Sequence, residues 1–385
     1  MPAEDTQQRI RDAYQHLRES LSDFRERKAQ RLMVAEVAKT FSPEDEDYLP
    51  VRAIEAPTGT GKSLAYMLGG IPVAQEEDRT LVIATGTVAL QEQVTGKDLP
   101  LAREHAGLDF QAVLAKGRQR YVCPRRLEAA AGEGSQQQGL GLDEGFWVER
   151  PDEADREAVA ALAAAWREER WDGDLDAWPE GLSANVRRQV TTNRHGCAGA
   201  ACTHREHCPF YAARDRVWAA DVVVANHALL LADLALGGGA VLPEPEKCLY
   251  IIDEGHHLAG RAVEQFHVAA GVDAARSWVS DLPRGLPELA RVLTDSSAIQ
   301  ELAKTVEEQA GTLDGLLREA LQALAGSWPG AADGETWTFA DGRVPEELQD
   351  LAGRVAGPAG KLAEGFAKAQ KEAQEAARKA QIGRA

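Results

Sequence analysis

Residues 56–63 read Ala-Pro-Thr-Gly-Thr-Gly-Lys-Ser, a glycine-rich turn that only a narrow set of folds can host. The short apolar run Val51 to Ala56 before it predicts a strand, and LAYMLGGI after it predicts a helix. In that setting the glycines let backbone N–H groups curl around an anion. The helix N-terminus adds its dipole, and Lys62 supplies a full charge. Ser63 is placed to hold Mg²⁺ between the β- and γ-phosphates. The strict pattern has glycine where this chain has Ala56. A glycine-rich turn without a ligand is the bland alternative, and it does not explain the strand and helix that flank it.

A second half of the same machinery stands at CLYIIDEGHH, 248–257. An apolar run ends in Asp253-Glu254, where an Asp orients Mg²⁺ through its water shell and a Glu polarises the attacking water. His256 is placed to link the nucleotide to whatever the protein moves, and Cys248 reads as a small buried hydrophobe. TLVIAT at 80–85, followed by a turn and VALQEQV, forms another strand–turn–helix unit; DVVVAN at 221–226 resumes the pattern. Repeated units of this kind predict an α/β fold with a parallel sheet. Thr85, Gly86 and Thr87 fall at the carboxyl end of their strand, where hydroxyls and N–H groups can grip phosphates or simply form a turn. His227 reads as a packed turn residue.

With 385 residues there is room for two or three domains, and 44% hydrophobic with 27% charged residues is a globular composition. No apolar run reaches the ~18–20 residues a membrane helix needs. The first thirty residues are too polar for a secretory signal. The expectation is an intracellular, cytoplasmic protein with no membrane partner. Its net charge of −18 argues against nucleic acid, yet KGRQRYVCPRR (116–126) carries five basic residues and no acid. Residues 187–216 add six arginines against Glu206 and Asp215. Such concentration predicts a polyanion-binding face.

Both basic stretches surround cysteines. Cys123, Cys197, Cys202 and Cys208 are separated by 73, 4 and 5 residues, without the C-x₂-C knuckle usual in zinc ribbons. Four thiolates with a distant first ligand suit a cubane iron–sulfur cluster. Zinc stays open, with His195, His204 or His207 as substitute ligands. Alanine-rich helical stretches and four tryptophans (147, 166, 171, 178) lie between the first and second cysteines. Residues 6–40 read as two amphipathic helices, with Gln30 near the start of the second. Residues 42–50 read as a loop. After 258 only helical segments follow, and the last, rich in Ala, Lys, Glu and Gln, reads as a helix without a packing partner.

Taken together, AQRLM with Gln30, APTGTGKS, ATGTVALQEQ, KGRQRYVCP, C-x₄-C-x₅-CPFYAAR, ADVVVANHALLL and IIDEGHH resemble the XPD-like iron–sulfur superfamily 2 DNA helicases, and among them the bacterial DinG-type group. The motifs stand in the family's order across roughly residues 25–258. The resemblance implies that Gln30 recognises adenine and that Gly59, Thr60, Gly61, Lys62 and Ser63 bind ATP and Mg²⁺. It implies Thr85, Thr87 and Gln91 along single-stranded DNA, a [4Fe–4S] cluster on the four cysteines, and hydrolysis driven by Asp253 and Glu254. It implies a monomer that moves 5′→3′ and unwinds forked DNA, D-loops, R-loops and DNA–RNA hybrids in repair and replication. It also implies contact with a single-strand-binding protein.

The expected architecture is a RecA-like lobe from 1–115 and 217–258, interrupted by an iron–sulfur domain at 116–216 and followed by a partial helical arch at 259–385. No second RecA-like lobe can be read after DEGHH. QIGR at 381–384 stands too early, on an alanine-rich helix, to be the family's last motif. Two alternatives stand beside the helicase: an ATP- and DNA-binding module without turnover, and a zinc-stabilised P-loop ATPase of another role.

Overall fold

The chain was analysed as a computed structural model. It describes residues 2–22, 24–42, 50–132, 152–194, 196–267, 271–292, 297–327 and 338–382. Trp147, His195, most of the 42–50 loop and the end of QIGR lie outside the described residues.

In chain order the elements are α1 (Glu4–Ser20), α2 (Lys28–Phe41), α3 (Lys62–Glu76), β1 (Thr80–Thr85) and α4 (Val88–Gln93). A π-helical turn at Val94–Asp98 leads to α5 (Leu99–Glu104), β2 (Ala112–Leu114), α6 (Pro124–Ala130), α7 (Glu153–Arg167) and α8 (Ala184–Val190). Then come α9 (Pro209–Trp218), β3 (Val222–Asn226), α10 (His227–Leu234), β4 (Cys248–Ile252) and α11 (Leu258–Phe266). The last three helices are α12 (Val272–Val292), α13 (Ser297–Ser327) and α14 (Glu346–Ile382). The fold is mixed α/β, as its strand–turn–helix repeats predict. It divides into two compact units, residues 1–127 with 158–267 and residues 128–157 with 268–385.

The first unit is built on a parallel sheet of order β2-β3-β1-β4. A parallel sheet is covered on both faces, so its strands must be apolar on both sides. TLVIAT and VVVAN satisfy this. Leu81, Ile83, Val222, Val224 and Leu249 face a core shared with α1, α2 and α3. Val82, Ala84, Val223, Ala225 and Cys248 face the opposite layer with Val217, Leu230 and Leu242. The carboxyl ends of β1, β3 and β4 therefore lie side by side, with Ala84 opposite Ala225 and Ile252.

The strand expected at Val51–Ala56 is not formed; the segment runs without ladder pairing. Its alternation of Arg52 and Glu55 with small apolar residues lacks the two-sided apolar character of its neighbours. Val51 is 70% exposed, and only Ile54 packs against the core.

In the second unit α12, α13 and α14 pack through Val279, Leu282, Ile299, Leu302, Val306, Leu313 and Leu362. Asp314 joins two of these helices, accepting from Arg276 at 3.0 Å and from Arg318 at 2.8 Å. Arg354 grips Glu319 with both guanidinium nitrogens at 2.9 Å. The last helix thus has a packing partner, contrary to the expectation from its composition. Leu362 and Ala369 are buried, and Phe366 meets Trp278 at 5.7 Å between ring centroids.

Candidate nucleotide site and cysteine cavity

The loop before α3 turns as its glycines require. Gly59 and Gly61 have φ of 80° and 82°, a left-handed conformation that costs any residue with a Cβ roughly 1–2 kcal/mol. At Gly61 the space is also closed, because a Cβ would lie 2.4 Å from Gln30 Nε2. Gln30 is buried, donates to the Gly61 carbonyl at 3.3 Å and accepts from Tyr14 Oη at 3.5 Å. Arg27 donates to the Gly59 carbonyl. Thr60 is buried and its hydroxyl donates to the Pro57 carbonyl at 2.7 Å, tightening the turn. Lys62 and Ser63 open α3, placing the ammonium and a hydroxyl at its positive end.

The second half of the machinery closes on the first. Lys62 Nζ lies 3.1 Å from Glu254 Oε1 and 3.4 Å from the Ala56 carbonyl. Glu254 has φ of 50°, a left-handed conformation unusual outside glycine, and such strain concentrates at functional turns. The hydrogen bond from Lys62 holds the Glu254 carboxyl below its ordinary range. Burial, then the adjacent Glu254 charge, pushes the Asp253 carboxyl up. His256 is exposed, with Nδ1 3.5 Å from Glu254 Oε2, and its ring lies 4.0 Å from that of His257. Tyr66, nearly fully buried in α3, has its phenol driven well above the ordinary value by burial and then by Asp253.

The residues expected along a polynucleotide are placed less openly. Thr85 is fully buried and its hydroxyl donates to the Thr87 carbonyl at 3.2 Å. Gln91 is buried. Only Thr87 is exposed, and its hydroxyl caps α4 by accepting from Leu90 N–H at 3.2 Å.

All four expected cysteines, Cys123, Cys197, Cys202 and Cys208, line one cavity, together with His204, Arg118 and Arg205. His207 does not line it. Cys197 Sγ accepts from Arg118 Nη1 at 2.9 Å and from Gly199 N–H at 3.4 Å. Burial raises the Cys208 thiol, opposed by backbone N–H groups of Tyr211 and Phe210 at the start of α9. Among the described residues no group of three or more His, Cys, Asp or Glu converges tightly enough for a single metal ion. The four thiols thus line one cavity, and N–H donors of Arg118 and Gly199 reach the sulfur of Cys197.

Part of the basic stretch is paired with groups of the protein itself. Lys116 Nζ meets Asp174 at 2.5 Å and Asp176 at 3.2 Å. Arg120 meets Asp176 at 2.7 Å, and Arg187 lies 3.7 Å from it. Burial opposes the ionisation of Asp176, but hydrogen bonds from Arg120 and Lys116 outweigh it and hold the carboxyl below its ordinary range. Arg118 also stacks on Phe210, 4.0 Å from the ring centroid, and Arg205 on Tyr211 at 3.9 Å. Arg126 donates to the Gln189 carbonyl at 2.9 Å. Arg118 and Arg205 line the cysteine cavity, and Arg120, Arg125, Arg188, Arg194 and Arg216 are exposed at the surface. The acidic loop also needs Gly173, whose φ is 86° and whose Cβ would strike Pro209 Cγ at 2.4 Å. Trp166, Trp171 and Trp178 stack edge to face beside it, at 6.5 and 5.2 Å. Asp174 and Asp176 were missed by motif reading; the alternating acids of WDGDLDAW within an alanine-rich segment are the signal that marks them.

Comparison with known proteins agrees with this arrangement. A family model described as DEAD_2 matches residues 198–269. A protein of Photobacterium profundum named ATP-dependent DNA helicase DinG is 40% identical over 315 residues, 79% of this chain and 45% of that protein. A protein of Salmonella choleraesuis with the same name is 35% identical over 357 residues, 89% of this chain and 48% of its own length. One from Escherichia coli is 41% identical over 263 residues, 68% of this chain and 36% of its own. The chain thus spans about half the length, or less, of these curated relatives. In its motifs and its parallel-sheet lobe, the chain is similar to part of these proteins named ATP-dependent DNA helicase DinG.

Proposed function

We propose that this chain is the ATP-binding and DNA-contacting part of a DNA-dependent ATPase of the helicase class. The observation that carries the reading is the approach of Lys62 to Glu254 at 3.1 Å, which unites two motifs about 190 residues apart. In the proposed mechanism the N–H groups around Gly59, Thr60 and Gly61 cradle the phosphates, and Lys62 turns from Glu254 to the β/γ oxygens. Ser63 holds Mg²⁺, Asp253 orients it through water, and Glu254, freed of its lysine, takes up the attacking water. Gln30 supports the loop from behind and faces the base. His256 connects Glu254 to the rest of the motor. Thr87 and the turn it ends contact single-stranded DNA through backbone N–H groups more than through Thr85 or Gln91, whose side chains point inward.

Cys123, Cys197, Cys202 and Cys208 are proposed to hold a [4Fe–4S] cluster, which when bound supplies four iron–sulfur bonds that tie residue 123 to 197–208. Arg118 and Gly199, which donate to Cys197 Sγ, and the N–H groups at the start of α9 beside Cys208 would stabilise those thiolates as ligands. The proposed functional parts remain 1–115 with 217–258 for ATP, 116–216 for the cluster and 259–385 for a helical arch. The resemblance adds 5′→3′ movement, action on forked DNA and DNA–RNA hybrids, a monomeric state, cytoplasmic localisation and contact with a single-strand-binding protein. Among the described residues no helix is long and apolar enough to cross a membrane.

The test is ATP hydrolysis by the anaerobically purified chain, with and without single-stranded DNA, beside Lys62→Ala and with metal analysis. The isolated chain is expected to bind ATP and DNA with weak or no turnover and to hold about four irons and four sulfides. Strong DNA-stimulated turnover abolished by Lys62→Ala would mean a working motor. Failure to bind either would refute the proposal, and stoichiometric zinc would refute the cluster.

A further inference from the structure

His227 occupies the start of α10 at the tip of β3, and it is completely buried. Its Nε2 lies 2.9 Å from the Asp253 carbonyl oxygen, an acceptor only, so Nε2 carries the proton. Nδ1 is then a lone-pair acceptor, and it is buried without a hydrogen-bond partner among the described residues. On its other side the ring meets the turn after β1. A Cβ built on Gly86 would lie 3.8 Å from His227 Cε1, 4.0 Å from Nδ1 and 3.5 Å from His257 Cδ2. The Asp253 N–H donates directly to the Ala84 carbonyl at 2.8 Å. The tips of β1 and β4 are therefore joined backbone to backbone, and the imidazole at the start of α10 is bonded to the β4 side of that joint. Burial disfavours the charged ring, pushing its pKa below the ordinary value against the pull of the Asp253 and Ala84 backbone.

A buried nitrogen lacking its donor makes this arrangement sensitive to position. Any movement of the 85–87 turn that brings an N–H to Nδ1 supplies the missing bond, and the ring carries that movement to Asp253. We propose that His227 is a positioning residue that couples the Thr85–Thr87 turn to the Asp253–Glu254 tip, so that a polynucleotide at the turn changes the affinity for Mg²⁺–nucleotide. The inference rests on the proposed ATP- and DNA-binding reading and adds to it the residue through which the two ligands communicate.

The test measures the dissociation constant of the fluorescent nucleotide mant-ATP with Mg²⁺, with and without saturating oligothymidylate, on the full chain. Wild type is expected to show a ratio of about five-fold or more, the low end of ordinary linkage between sites. In His227→Phe the ratio falls below about two-fold while each ligand alone binds within about three-fold of wild type. In His227→Gln, whose amide can still donate to the Asp253 carbonyl, part of the ratio returns. Should His227→Phe lose its cooperative thermal transition, Gly86→Val probes the same contact from the turn's side and is expected to abolish the ratio. An unchanged ratio in the folded variants overturns the inference, as does a wild-type ratio of one with both ligands bound. Absence of binding by wild type fails the proposed function itself.

Discussion

Lys62 Nζ and Glu254 Oε1 stand 3.1 Å apart, so the cation meant for phosphate and the carboxylate meant for water hold each other. The pair is about a quarter to a third exposed, and such pairs contribute roughly 0.2–1 kcal/mol. Glu254→Gln removes the competitor for Lys62. We expect Mg²⁺–ATP to bind about 1.5–5-fold more tightly in that variant, by titration with mant-ATP, while hydrolysis is lost. Weaker binding would show that the carboxylate helps the lysine more than it competes.

Asp253 and Glu254 are adjacent acids displaced in opposite directions, up by burial and down by Lys62. Asp253 therefore takes a proton first as pH falls, and Mg²⁺-dependent nucleotide binding should weaken at a pH above the ordinary aspartate value of about 3.9. The sign for folding is the reverse. A raised carboxyl favours the folded state below its unfolded value, and that contribution is lost as pH rises through the folded one. A pH series of nucleotide affinity should show this upper break in wild type and none in Asp253→Asn.

Asp176 gathers Lys116, Arg120 and Arg187 beside the cysteine cavity. Its lowered pKa means that its contribution is present above the ordinary carboxylate range and lost as pH falls through the depressed value. Asp176→Asn leaves three cations short of a counter-charge, and a loss of about 1–3 kcal/mol is expected in denaturant melts at neutral pH. The difference from wild type should shrink in acid. A difference that does not shrink as pH falls below the ordinary carboxylate range would refute the electrostatic account.

Gly59 and Gly61 share a backbone conformation and differ in surroundings. Alanine at 59 meets no atom within 4 Å and carries only the left-handed penalty, roughly 1–2 kcal/mol. Alanine at 61 must also displace the Gln30 amide 2.4 Å away. Gly61→Ala should therefore melt lower than Gly59→Ala. Replacing Gln30 by Ala in the Gly61→Ala background should recover part of the difference.

Leu302 is fully buried among α12, α13 and α14. Leu302→Ala is expected to cost about 2–5 kcal/mol by the cavity it leaves. Circular dichroism melts read that loss, and mant-ATP affinity at low temperature should not change.

The α/β class and the positions of β1, β3 and β4 were legible because each is a short β-branched run apolar on both faces. The phosphate loop and Asp253-Glu254 were legible for a different reason: their chemistry depends on residues adjacent in sequence. Val51–Ala56 misled because its composition resembles a strand while Arg52 and Glu55 forbid two-sided burial. The alternating acids of WDGDLDAW mark Asp174 and Asp176, but their pairing with Lys116 and Arg120 was not legible, since charge pairing across more than fifty residues leaves no periodicity. Burial of Thr85 and Gln91 was hidden likewise, because a residue at a strand's carboxyl end can face either the crevice or the core. His227 looked inert because its role depends on two neighbours contributed by other strands.

Among the described strands, β2 and β3 alone are both consecutive in the chain and neighbours in the β2-β3-β1-β4 sheet, and residues 115–221 lie between them. Gln111 N–H reaches Asp221 across 110 positions, and the Thr80 hydroxyl reaches the Ala220 carbonyl across 140. No local hairpin can therefore nucleate this sheet. Each pairing must first close a long loop, at an entropic cost repaid only after the ends have met. The helices can form early and alone, whereas the sheet waits for residues near 250. Its assembly is thus a late and slow event in the life of the nascent chain, during which β1 has no partner on the side that β4 takes.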